Sequence, residues 1–195
     1  MTKRGTACGA SEAPATHVAV PAAATWGLLV AFAAHDAEEL ATMPWYVAKQ
    51  CDRLQASFPG MSPRVLSLLR FDRTHAATAI GLMGGLIAAA AAAGAGSEGR
   101  SAFYQTALAG FGLHAVTHVG QSAVMREYTP GVVTASLVVA PFSAWAWWRL
   151  KRAGVVQQLN STAATAAAFP VALLGVHCGA YVLRKLARGA MKRRR

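Results

Sequence analysis

Residues 73–94 read RTHAATAIGLMGGLIAAAAAAG, and between Arg73 and Glu98 no side chain is charged. A helix needs about 20 predominantly apolar residues to cross a bilayer, and this run supplies them. Four other stretches follow the same rule: about Ala22 to Met43, halted by Pro44 and followed by Trp45 and Tyr46; Ser101 to about Met125; Val132 to Trp148; and Thr162 to about Leu183. The sequence therefore predicts an all-α fold, a polytopic transmembrane helical bundle of about five spans over residues 21–187. A flexible N-terminal arm (1–20) precedes it and a basic C-terminal tail (188–195) follows.

Composition points the same way. The chain is 54% hydrophobic and 14% charged, whereas a soluble domain carries about 25% charged residues. The net charge of +11 raises the question of nucleic acid, but the basic residues gather in the tail and at the ends of apolar runs, where they act as topology signals. No nucleic-acid partner is expected. Cys8, Cys51 and Cys178 are odd in number and lack C-x-x-C spacing, so neither a disulfide framework nor a thiolate zinc site is indicated. Five spans would put Lys3, Arg4, Arg100, Arg149, Lys151 and Arg152 on one side. Lys49, Arg53, Arg64, Arg70, Arg73, Arg126 and the basic residues from Arg184 to Arg195 would share the other. The heavier side belongs in the cytoplasm, which predicts a multi-pass inner-membrane protein with a cytoplasmic C-terminus. The segment SPRVLSLLRF from Ser62 suits either a helix lying at the interface or a lead-in to the second span.

Chemistry enters through AAHDAEEL. His35, Glu38 and Glu39 stand three and four residues apart, and at about 100° per residue they share one helix face, with Asp36 off it. An ionised acid near the bilayer centre costs at least about 2.5 kcal/mol, so two together call for a proton, a cation or water. FGLHAVTHVGQS supplies a second face, with His114 and His118 one turn apart, a spacing by which a helix can offer two nitrogens to one metal. Glu127, in MREYTPG, ends that span and reads either as a functional acid or as a loop carboxylate paired with Arg126. His177 lies alone on the last span beside Cys178, His75 lies one turn from the interface, and His17 lies in the arm. His177 is read as an outer partner, and no role follows for His17.

Three motifs in order, His35-Asp36-Ala37-Glu38-Glu39, His114-Ala115-Val116-Thr117-His118 and Glu127-Tyr128-Thr129-Pro130-Gly131, resemble the HXXEE-motif family of small bacterial integral membrane proteins. The resemblance covers about residues 22–150. In that family the second motif usually opens with Asn, where this chain has His114, so His118 is the firmer functional position. The resemblance implies a shared site and does not imply a reaction.

A mixed imidazole and carboxylate set without sulfur suits a divalent metal, namely iron, zinc or manganese. The expected ligands are His35, Glu38, Glu39, His114 and His118, with Glu38 and Glu127 as catalytic acids or bases. The leading expectation is a metal-dependent membrane enzyme acting on a hydrophobic or lipid-like substrate, with the lipid bilayer as its surroundings. Proton relay or transport, bis-histidine haem binding and a non-catalytic membrane subunit are the alternatives.

Overall fold

Alternating apolar runs and short polar breaks produce helices and nothing else: in the computed structural model, which describes residues 18–62, 64–65, 72–157 and 162–193, every described element is helical. They are α1 (Ala22–Ser57), α2 (Arg73–Gly96), α3 (Ala102–Met125), α4 and α5 (Thr162–Arg193). We call α4 the continuous run of a short α segment Val132–Thr134, a π-helical stretch Ala135–Val139 and an α segment Ala140–Arg152. His17 and most of the Ser62–Phe71 segment lie outside the described residues.

Local chemistry sets several boundaries. The carboxylate of Asp72 accepts from the His75 backbone N–H at 3.1 Å and opens α2, and the Ser101 hydroxyl accepts from the Tyr104 N–H at 3.3 Å and opens α3. Such caps satisfy backbone donors that have no partner inside the helix. Arg126, at φ 52°, closes α3 in the left-handed region.

Pro44 does not end the first helix as its chemistry predicts; α1 runs on to Ser57. The reason is tertiary. Beyond Pro44 the helix is gripped by the end of α3, through Tyr46 Oη to Met125 Sδ at 3.1 Å, and by the loop after it, through Lys49, Gln50 and Arg53, which all donate to Glu127. These contacts outweigh the single backbone hydrogen bond that a proline forfeits. Similarly, α5 continues past Leu183 to Arg193, taking part of the basic tail into the helix.

Small residues set the packing distance. Ala24, Ala90, Ala135, Ala146 and Ala180 are wholly buried, which lets backbones approach closely. A Cβ on Gly94 would fall 2.5 Å from the Tyr104 ring, so the ring takes the space that any larger residue would fill. Three pairings fix how α1 lies against α3. Tyr104 donates to the Ala24 carbonyl, His35 faces His114 and Tyr46 reaches Met125, at sequence offsets of 80, 79 and 79. A constant offset means that the two helices run parallel and in step, with α2 returning between them.

Among the described residues, two helical stretches, Arg73–Gly96 and Ala167–Ala190, are long and apolar enough to cross a membrane. Five such spans were expected. In α1 the acidic residues Asp36, Glu38 and Glu39 interrupt the apolar stretch, and in α3 glycines and histidines dilute it.

Candidate metal centre

Because α1 and α3 run in step, the i, i+4 pair His35 and Glu39 on the first meets the i, i+4 pair His114 and His118 on the second. One ligand atom from each of these four residues lies within 4.8 Å of the others. His114 Nε2 is 3.2 Å from His35 Nε2 and 2.9 Å from His118 Nε2. Glu39 Oε1 is 3.3 Å from His118 Nε2 and 3.8 Å from His35 Nε2. His35 is 1% exposed and His118 7%. The group could hold a metal ion.

The outer ring nitrogens reveal which way the protons point. His118 Nδ1 stands 2.9 Å from the Pro130 carbonyl, which can only accept, so His118 carries its proton on Nδ1. His35 Nδ1 stands 3.0 Å from Thr134 Oγ1, and that hydroxyl donates its one proton to Glu38 Oε2 at 2.6 Å. Thr134 must therefore accept from His35 Nδ1–H. In the neutral imidazoles both Nε2 atoms then present lone pairs to the interior of the cluster. A single proton on His114 Nε2 could satisfy only one of its two histidine neighbours.

Glu38 stands outside the four-atom group. Its carboxylate accepts from Tyr128 Oη at 2.7 Å, from the Thr134 backbone N–H at 2.7 Å, from the Thr134 hydroxyl and from the Val133 N–H at 3.3 Å. With its oxygens so engaged, it orients His35 through Thr134. Glu127 also stands outside the group. It accepts from Lys49 at 2.7 Å, Gln50 at 2.7 Å and Arg53 at 2.9 Å, and these donors, Lys49 first, hold its carboxyl down at about 2. His75 Nε2 and His177 Nδ1 pair with each other at 3.0 Å across α2 and α5, and both stand outside the group.

The α3–α4 loop closes over the imidazoles at Gly131, where φ is 82° and a Cβ would fall 2.8 Å from His35 Cε1 and 2.9 Å from His118 Cε1. Only glycine meets both demands. The π-helical stretch begins immediately after Thr134, at a kind of irregularity that recurs at functional sites. Thr134 was not foreseen from the sequence. Tyr128 and Pro130 fall in the third motif, Glu127-Tyr128-Thr129-Pro130-Gly131, but a motif does not say what its turn packs against.

Fold and site together define an all-helical protein with a buried histidine and glutamate centre built by two parallel helices. The chain belongs to the family described as protein of unknown function with HXXEE motif, whose model matches residues 26–146. The motif is His35-Asp36-Ala37-Glu38-Glu39, which contributes two of the four ligand atoms. No curated protein and no solved structure matches the chain.

Proposed function

We propose that this chain is a membrane-embedded, metal-dependent enzyme in which His35, Glu39, His114 and His118 hold one divalent ion, and which acts on a hydrophobic or lipid-like substrate. The observation that carries the reading is the convergence of three Nε2 atoms and a carboxylate oxygen within 4.8 Å, with the tautomers of His35 and His118 set so that lone pairs face inward. Facing lone pairs beside a carboxylate repel, and a cation removes the repulsion. The outer nitrogens of His35 and His118 each have an acceptor, as metal-ligating histidines almost always do.

Three nitrogens and one oxygen would fill the four positions of tetrahedral zinc, which is the pattern of a structural site. An octahedral ion keeps positions open for substrate. We therefore favour iron or manganese over zinc. Glu38 serves in this reading as the residue that positions His35 through Thr134, and Glu127 as the anchor of the lower half of α1.

Membrane embedding is supported by the outward faces of the helices. Val30, Leu137, Val171, Leu174 and Leu186 are each at least 65% exposed, and large apolar side chains left outward on several helices suit a lipid surrounding. Trp145 and Trp148 are exposed near one end of the bundle and Trp45 near the other. Arg149 and Arg152 lie over the Trp148 ring at 5.7 and 5.0 Å, and Lys49 lies over Trp45 at 5.3 Å. Two aromatic levels beside basic residues suit two headgroup layers.

Haem is disfavoured because the three imidazoles meet edge to face, with ring centroids 4.3 to 5.1 Å apart, and leave no slot for a flat macrocycle. Metal analysis of the full chain purified without a polyhistidine tag tests the proposal. One iron or manganese per chain, lost in His35→Ala and His118→Ala, is expected. Zinc at one per chain would convert the centre to a structural one, and no metal in the parent protein would overturn the reading.

A further inference from the structure

One polar group beside the centre has no partner in it. A cavity of 320 Å³ lies among α1, α2, α3 and α5, walled chiefly by apolar side chains such as Phe32, Met43, Ile80, Met83 and Leu173. His35, Glu39 and His114 open onto it from the metal centre, and so does Asp36. Asp36 is 7% exposed, and its Oδ2 has no hydrogen-bond partner among the described residues. It is off the metal-binding stripe, about 100° round α1 from His35, on the wall shared with the cavity. A buried carboxyl oxygen without a partner is costly to a fold, and a substrate group is the partner that this cavity can admit.

We propose that the cavity binds a single-chain alcohol, its apolar chain along the α2 and α5 wall and its hydroxyl hydrogen-bonded to Asp36. The occupant is single-chained because 320 Å³ is near the lower limit of small-molecule sites, roughly 300 Å³, and a two-tailed lipid needs more. A carboxylate head would meet Asp36 and Glu39, both acidic. An ammonium head would meet the cation for which the centre is built. A hydroxyl both donates and accepts, so it pairs with the Asp36 carboxyl whether or not that carboxyl carries a proton. Its carbon then lies toward His35 and Glu39, which share the cavity. The exclusion of an ammonium head and the fate of that carbon rest on the proposed function; the fit of a hydroxyl to Asp36 does not.

The test is binding of radiolabelled 1-decanol and of undecane, which has the same number of heavy atoms, to the full chain in lipid nanodiscs with and without a chelator. The parent protein is expected to hold 1-decanol at least 10-fold more tightly than undecane in both conditions. Asp36→Ala is expected to bring that ratio close to one with undecane binding unchanged. Ala172→Phe, which fills the cavity from α5, is expected to abolish binding of both and serves as the second variant should Asp36→Ala not fold. Equal binding of the two probes by the parent, an undiminished ratio in Asp36→Ala, or unaltered 1-decanol binding in a folded Ala172→Phe would each overturn the inference. Absence of metal with the discrimination intact would overturn the metal reading alone.

Discussion

Thr134 has one hydroxyl proton and three polar neighbours, Glu38, His35 and, more distant at 3.4 Å, the Gly131 carbonyl, and its geometry shows which neighbour receives it. The shortest contact, 2.6 Å, goes to Glu38, and the 3.0 Å contact to His35 Nδ1 must run the other way. The threonine is thus a small switch-piece that turns the charge of Glu38 into a fixed tautomer of His35. Thr134→Val keeps the shape and removes the hydroxyl. The expected outcome is a loss of about 10 to 100-fold in metal affinity, measured by competition with a chelator, while the chain remains folded; unchanged affinity would mean that the hydroxyl does not set the ligand. None of this can be read from a threonine in a sequence. His35, Glu39, His114 and His118 were legible because a repeat of four on a helix is a local property. Their partners come from a loop whose approach depends on how α4 returns to the bundle. Glu38 was legible as a polar group on the same stripe, yet spacing alone could not tell a ligand from a residue that steadies one.

At the scale of elements, the lower half of α1 owes its place to Glu127. The carboxyl sits at about 2 in the folded protein, held there by Lys49 first and then by Gln50 and Arg53, against a usual 4.5. A depressed value means that the ionised form is favoured by folding, so this contribution is complete above about 4.5 and disappears as the pH falls through about 2. Thermal unfolding followed from pH 5 to pH 2 should therefore show the parent losing its advantage over Glu127→Gln across that window. Parallel pH profiles for the two proteins would exclude the clamp. The opposite end of the bundle is tied by Gln105, wholly buried, which donates to the carbonyls of Gly99 and Val155 at 2.8 and 2.9 Å and accepts from the Gln157 N–H at 2.9 Å. Every hydrogen-bonding atom shown for that side chain is used to join two loops. The helix starts at Asp72 and Ser101 could be read from capping chemistry. The continuation of α1 past Pro44 could not, because it depends on an acid 83 residues further along.

Over the whole molecule, the ends of the helices sort into two levels. Arg149 donates to the Ala19 carbonyl at 3.2 Å and Gln157 to the Arg100 carbonyl at 2.6 Å, which gathers the start of α1, the α2–α3 turn and the end of α4 at one level. Lys49 and Arg53 with Glu127, and Arg184 with Asp72 at 2.5 Å, gather the other ends at the second level. This is the partition from which the basic residues predict a cytoplasmic tail. Reporter fusions after Arg152 and after Arg195 are expected to report opposite sides of the membrane; the same side for both would remove α5 as a span. The order of the chain has a further consequence in time. A polypeptide emerges from the ribosome N-terminus first, so all four ligand atoms have been made once His118 is out. Pro130 and Thr134, which hold the Nδ1 protons of His118 and His35, are made later. A nascent chain that stops between these points owns every ligand but lacks the acceptors that orient two imidazoles. Under the proposed function, the two oriented imidazoles would be offered to an ion only after α4 has entered.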